Sequence, residues 1–164
     1  MVKVLIVGFG NMGCRHAQSL LGNKDKYEIH VVEPSAEAIQ VNSGRIGAEK
    51  GDIAFYDSID DAPGNVDVAI VASSSNPRYG IVKNLLNKGV KLFLLEKIVF
   101  QSIEQFDEII SIAENKGAKL YCNFVNRFFS VYNDIRTRIG SSNTLVNMTV
   151  YGGDFGLGCN ASLH

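Results

Sequence analysis

The chain has 164 residues, of which 46% are apolar and 20% charged, and this length and composition fit a globular protein with a hydrophobic core. A formal net charge of −1 excludes a general electrostatic attraction to nucleic acid or to acidic membranes. The longest uncharged stretches are shorter than the roughly 18 apolar residues that a membrane-spanning helix needs. We therefore expect neither nucleic acid nor membrane as a partner.

Strand-like apolar runs alternate with stretches of helical periodicity along the first 124 residues. The predicted strands are 2–7, 28–32, 53–56, 67–72, 91–95 and 118–124, of which 53–56 is the weakest. The predicted helices are 11–22, 35–45, 77–88 and 102–116. Strands separated by single helices give right-handed crossovers. The pattern therefore predicts an α/β fold, a Rossmann-type doubly wound parallel sheet with strand order 3-2-1-4-5-6.

The first strand runs directly into a glycine-rich turn that opens the first helix. Gly8 permits the tight turn, Gly10 lets the backbone approach a pyrophosphate, and Gly13 lets the helix lie close to the sheet. The helix N-terminus then faces the anion. Glu33 stands about 20 residues further on, at the end of the second strand, where it would accept hydrogen bonds from the adenosine ribose. The sequence therefore predicts a dinucleotide site formed by Glu33 and the turn residues Gly8, Phe9, Gly10, Asn11, Met12 and Gly13.

Polar residues follow the fourth predicted strand. Ser73, Ser74 and Asn76 lie in this turn and could line the ribose or the nicotinamide of the cofactor. The same segment also reads as a helix cap, with Ser75 or Asn76 before Pro77 in the first helical turn. Both interpretations can hold together.

Glu96 and Lys97 follow the fifth predicted strand, at the sheet edge where ligands of open α/β folds bind. A lysine in a partly closed, dry cleft can act as an acid or a base because such a cleft lowers its pKa. A solvated Glu–Lys pair at a strand end is an equally compatible interpretation.

The histidines and cysteines of the first half suggest no further chemistry. We expect His16 to be a helix-surface or packing residue, His30 to have no role, and Cys14 to face the core. The three cysteines are an odd set without metal-like spacing, so we expect no metal and a reduced, cytoplasmic chain. The initial strand leaves no room for a signal peptide.

After about residue 125 the pattern changes to a predicted helix over 128–139 and an alternating, strand-like segment over 145–151. Asn160 and His164 would share one face of a helix, and a histidine suits proton transfer beside a hydride step. We expect two domains: a nucleotide-binding domain over 1–124, and over 125–164 the start of an incomplete second α+β domain, truncated at its end.

Taken in order, these motifs resemble the glucose-fructose oxidoreductase/inositol dehydrogenase (Gfo/Idh/MocA) family over nearly the whole chain. The matching segments are 8–16, 33, 76–80, 96–98, 126–128 and 160–164. The resemblance implies hydride transfer between a nicotinamide cofactor and a sugar-like or polyol alcohol or its ketone. It assigns Lys97, His164 and Asn160 to catalysis, and Glu96, Lys97 and Arg127 to the cofactor. Glu33 favours NAD over NADP, since a 2′-phosphate would meet a carboxylate.

The chain departs from the family pattern at several points. Gly80 replaces a usual histidine, Ile98 a proline that shapes the Lys97 loop, and Asn160 an aspartate that would tune His164. Members are also roughly twice as long, and their second half builds the substrate pocket and usually the dimer interface. We therefore expect these residues alone to be inactive and the full-length form to be a homo-oligomer. A non-catalytic dinucleotide sensor or scaffold is the alternative that Ile98 and Asn160 favour.

Overall fold

A computed structural model describes residues 1–139 of the chain. The strands are β1 (Val2–Val7), β2 (Tyr27–Val32), β3 (Ala54–Tyr56), β4 (Val68–Val71), β5 (Leu92–Leu95) and β6 (Lys119–Cys122). The helices are α1 (Asn11–Leu21), α2 (Ala36–Ile46), α3 (Ser75–Asn87), α4 (Ile103–Lys116) and α5 (Ser130–Ile139). A 3-10 helix, Val125–Phe128, precedes α5.

The six strands form one parallel sheet in the order β3-β2-β1-β4-β5-β6, which confirms the predicted doubly wound topology. β1 pairs with β2 along its whole length and with β4 over its last four residues. The chain therefore leaves β1 toward one side of the sheet and later returns to its other side. This reversal creates the switch point at which ligands of such sheets bind, outside the carboxyl ends of β1 and β4.

The hydrophobic core lies on both faces of the sheet. Successive residues of β1 alternate between the two faces: Leu5 and Val7 join the cluster that α3 and α4 cover, whereas Val4 and Ile6 join the cluster with Ala17 of α1. These four side chains, out of the six in β1, are buried. Burial on both faces explains why the strands read as nearly unbroken apolar runs.

The N-terminus of α3 differs from the prediction. The helix begins at Ser75 after Ser74, and the Ser74 side chain makes no capping hydrogen bond. The expectation that Ser75 or Asn76 caps a helix starting near Pro77 was therefore wrong. Pro77 fits inside the first turn because the amide groups there have no intrahelical acceptor.

The chain divides into two compact units, Met1–Asn123 and Phe124–His164. In the second unit, Phe128 ends the 3-10 helix and α5 starts only at Ser130, so the predicted helix over 128–139 begins two residues too early. The strand predicted over 145–151 lies outside the described residues. Within residues 1–139, no helix combines the length and apolarity that crossing a bilayer requires.

Candidate functional site

The glycine turn between β1 and α1 is held by close backbone contacts. Gly8 has a φ of +93°, and a Cβ there would lie 2.8 Å from the backbone nitrogen of Ser73. A Cβ at Gly13 would lie only 1.9 Å from the carbonyl oxygen of Gly8. A side chain at either position would push backbone apart, so glycine is what lets α1, β1 and the turn after β4 meet here.

Gly10 differs from the other two glycines of the turn. It precedes α1 with an extended backbone (φ −72°, ψ −160°), and a Cβ there would meet nothing within 4 Å. The first turn of α1 has no side-chain cap and no acidic residue. The first amide groups of a helix lack intrahelical acceptors and carry partial positive charge. Gly10 therefore borders open space that suits an anion.

Glu33 lies beside this turn, at the carboxyl end of β2. Its Oε2 accepts a hydrogen bond of 2.8 Å from the Phe9 amide, and its Oε1 one of 3.0 Å from the Ser35 amide. These bonds fix the orientation of the carboxylate. Since an ionised carboxylate has about four acceptor positions, each oxygen keeps capacity for a hydroxyl donor.

A cleft of about 550 Å³ opens at the switch point. Gly8, Gly10, Glu33, Ser73 and Ser74 line it, and all five were predicted from the sequence as site residues; Ser58 adds a hydroxyl that was not predicted. The other lining residues are Val7, Val32, Pro34, Ile59, Ala72, Pro77 and Ile81. A mainly apolar cleft with a few converging polar groups is typical of small-molecule sites.

The remaining residues predicted in these two turns lie elsewhere. The Phe9 side chain is fully buried and packs edge to face on Phe55, with ring centroids 5.3 Å apart. Phe9 contributes to the site only through its backbone amide, which donates to the carboxylate of Glu33. Asn11 accepts a hydrogen bond of 2.8 Å from Arg45, and neither Met12 nor Asn76 lines the cleft.

Glu96 is buried, with 4% of its surface exposed, so the interpretation of a solvated Glu–Lys pair is wrong. Its Oε1 lies 2.8 Å from Nε2 of His16 and accepts a hydrogen bond of 2.6 Å from the side-chain Nδ2 of Asn123. Burial raises the pKa of Glu96, but the hydrogen bonds from His16 and Asn123, with the charges of His16 and Arg78, outweigh it and lower the pKa overall. Glu96 thus joins α1, β5 and the end of β6.

Lys97, the next residue, is exposed, unlike Glu96. The Lys97 amine makes no hydrogen bond or ion pair with the rest of the described chain. The peptide bond between Lys97 and Ile98 is cis. An amine at the carboxyl edge of β5 is therefore accessible to a ligand that extends from the switch point toward β5.

Arg78 borders the site, although no role was predicted for it from the sequence. Only 2% of its surface is exposed, and its guanidinium donates to the backbone carbonyls of Ser73, Glu96 and Ile98. Burial lowers its pKa, while the Glu96 carboxylate acts in the opposite direction. Arg78 links the turn after β4 with the loop after β5.

For three predicted site residues the structure does not describe the side chain. Asn160 and His164 lie outside the described residues, and of Arg127 only the backbone is described, in the 3-10 helix. Prediction also missed His16 and Asn123 as partners of Glu96. For His16 a signal existed, since it lies one turn after Gly13 on the helix that starts at the site.

Comparisons with known proteins agree with this architecture. The model of a family described as "Oxidoreductase family, NAD-binding Rossmann fold" (GFO_IDH_MocA) matches residues 2–124. The Salmonella typhimurium protein YceM is 28% identical over 146 residues, which cover 88% of this chain and 45% of YceM. The chain spans less than half the length of the curated relatives it matches.

Two solved structures have the same fold at low sequence identity. The first is scyllo-inositol dehydrogenase from Lactobacillus casei, with bound NAD(H) and scyllo-inositol: its TM-score is 0.69 at 20% identity, covering 85% of this chain and 41% of that one. The second is UDP-N-acetylglucosamine 3-dehydrogenase from Acidithiobacillus ferrooxidans: its TM-score is 0.68 at 18% identity, covering 83% of this chain and 41% of that one.

Proposed function

The chain belongs to the Gfo/Idh/MocA oxidoreductase family with its NAD-binding Rossmann fold, and on this premise we propose that it is the cofactor-binding part of a sugar or polyol dehydrogenase. The reaction is hydride transfer between NAD and an alcohol carbon or the corresponding ketone. One observation carries the proposal: the open backbone at Gly10 shares a cleft with the carboxylate of Glu33.

The residues of the cleft divide between the parts of the cofactor. The first amides of α1, together with Gly10, would hold the pyrophosphate, and Glu33 would accept the adenosine ribose hydroxyls. Because Glu33 directly follows β2, the adenosine half would lie on the β2 side of the switch point. The nicotinamide half then extends past Ser73 and Ser74 toward β5 and Lys97. NAD, when bound, supplies the hydride acceptor.

Glu33 also favours NAD over NADP. In NAD the ribose 2′-hydroxyl donates to the carboxylate, whereas in NADP a negatively charged phosphate replaces that donor. Two unit charges about 4 Å apart repel by about 4 kcal/mol at an effective dielectric constant of 20. The Glu33 side chain is held by two amides and cannot swing away without losing both hydrogen bonds.

We propose that Lys97 hydrogen-bonds the substrate hydroxyl. Its free amine at the sheet edge can donate to the substrate oxygen and move the proton that accompanies hydride transfer. His164 and Asn160 are the proposed second group for the same proton, by their match to the family pattern. We propose no role for Glu96 beyond support of this edge, because its carboxylate is buried and already bonded.

The substrate class follows from the relatives. One has scyllo-inositol bound and the other is named for a UDP-sugar, and both compounds carry polyhydroxylated rings. A sugar-like or polyol substrate is therefore our proposal for the whole protein, which we expect to be a homo-oligomer. Since the chain spans less than half of its curated relatives, we expect these 164 residues to bind NAD weakly without turnover.

Replacement of Lys97 in the full-length protein tests the proposal. Lys97→Ala should lower kcat on the best substrate of a polyol and sugar panel by about 100-fold or more, with little change in NAD affinity. Lys119→Ala is the matched control, because Lys119 is also exposed but begins β6, at the amino ends of the strands and away from the switch point. An unchanged rate in Lys97→Ala would remove this residue from the mechanism.

A second function, a dinucleotide sensor or scaffold without catalysis, is favoured by Ile98 and Asn160 in place of the family residues. It predicts that the full-length wild type binds NAD but turns over nothing on the panel. Turnover by the wild type eliminates it.

A further inference from the structure

We propose that Arg78 is a positioning residue of the site, which sets the place of Lys97 relative to the nicotinamide half of the cofactor. The guanidinium does so by holding the turn after β4 and the loop after β5 in one arrangement. This inference rests on the proposed function, because it concerns the same site.

Arg78 occupies a core position of α3. It lies one and two helical turns before Val82 and Leu85, and all three side chains are buried. A buried charge is unfavourable unless hydrogen bonds replace its hydration. An apolar side chain would fill this position without that cost, so the identity of the residue is explained by its acceptors and not by packing alone.

The three acceptors identify what Arg78 holds. They are the backbone carbonyl of Ser73, which lines the cleft, and those of Glu96 and Ile98, which flank Lys97 on either side. A guanidinium presents its donors in a fixed planar fork. The backbone on both sides of Lys97 is therefore tied, through one rigid group, to the backbone that borders the cofactor cleft.

Arg78 acts through this backbone and not on the ligand. It does not line the cleft, and the described hydrogen bonds of its guanidinium all go to main-chain oxygens. The Glu96 side chain has separate anchors in His16 and Asn123. Loss of Arg78 should therefore release the Lys97 loop while the Glu33 side of the site, across β1, keeps its own contacts.

The test compares two ligands on the 164-residue chain. NADH reaches both sides of the switch point, whereas ADP occupies only the adenosine and pyrophosphate part. In Arg78→Gln we expect the Kd for NADH to rise about tenfold, which is the effect of losing one strong contact, while the Kd for ADP stays within about twofold. The fluorescence of bound NADH, which reports the nicotinamide environment, should shift toward that of free NADH.

Arg78→Lys serves as the conservative variant. It keeps the positive charge, but its single nitrogen cannot reproduce the planar fork in which one guanidinium nitrogen bonds Glu96 and Ile98 while the other bonds Ser73. The selective loss of NADH affinity should therefore persist. Arg15→Gln is the matched control, since Arg15 is exposed on α1 and bonds only to Gln18 among the described residues. Both its affinities should equal those of the wild type.

The outcomes separate the inference from its premise. Equal weakening of NADH and ADP, full recovery in Arg78→Lys, or failure of both variants to fold would reduce Arg78 to a general stability or charge role and overturn the inference. Wild-type protein that binds neither NADH nor ADP would instead overturn the proposed function.

Discussion

Replacement of Gly10 by alanine separates folding from binding at the glycine turn. A Cβ at Gly10 meets no atom within 4 Å, and the backbone there is extended, a conformation that alanine adopts without strain. Loss of glycine as the residue before α1 costs about 0.5 kcal/mol. Reduced freedom of the unfolded chain returns about 0.4–1 kcal/mol. The free energy of unfolding should therefore change by less than about 1 kcal/mol.

The same methyl group should obstruct the cofactor. It projects into the open space at the N-terminus of α1, where the pyrophosphate would lie against the backbone. Displacement of the phosphates lengthens hydrogen bonds that are each worth about 1.5–3 kcal/mol when one partner is charged. Since a loss of 1.4 kcal/mol of binding free energy weakens affinity tenfold, the Kd for NAD should rise about tenfold or more.

Calorimetric titration with NAD and thermal unfolding of the same samples measure the two effects. Gly44→Ala is the matched control, because Gly44 lies within α2, outside the cleft, and its Cβ would also meet nothing within 4 Å. That control should bind NAD like the wild type and unfold at the same temperature or higher. Wild-type affinity for NAD in Gly10→Ala would refute the assignment of the pyrophosphate site.

Three further substitutions give distinct expected results. Gly13→Ala should lower the free energy of unfolding, measured by urea denaturation, by about 1–3 kcal/mol or more, because its Cβ would meet the Gly8 carbonyl. Wild-type stability in this variant would contradict the close contact between α1 and the turn. Glu33→Gln should reduce the preference for NAD over NADP by at least about tenfold in paired titrations; an unchanged ratio would exclude charge repulsion as its cause. Glu96 has a lowered pKa in the folded state, so its stabilising contribution is complete above the ordinary glutamate pKa and is lost as the pH falls through the lowered value. Glu96→Gln should therefore lose less stability than the wild type between neutral and acidic pH, and parallel acid profiles would contradict this.

The sheet and the glycine turn were predictable because their signals are local. Strands buried on both faces read as continuous apolar runs, and each crossover helix separates two of them. The functions of Gly8 and Gly13 follow from backbone geometry that only glycine allows, so the spacing of the turn carries the information. The distance to Glu33 then places an acid at the end of the adjacent strand.

The arrangement around β5 was less predictable because it depends on contacts between distant parts of the chain. Glu96 is separated from His16 by 80 residues and from Asn123 by 27. Neither pair leaves a periodic pattern in the sequence, so Glu96 reads equally well as a solvated strand end. The buried Arg78 did leave a signal, a charged residue in the apolar stripe of α3 with Val82 and Leu85. A charge in such a stripe indicates that backbone acceptors lie opposite it.

We propose that this chain holds an NAD-type dinucleotide at the turn after β1, with Glu33 on the ribose. Isothermal titration of the wild-type 164 residues with NAD, and separately with NADP, tests it most directly. We expect saturable binding of NAD at one site and weaker binding of NADP. An absence of NAD binding, or tighter binding of NADP than of NAD, would contradict it.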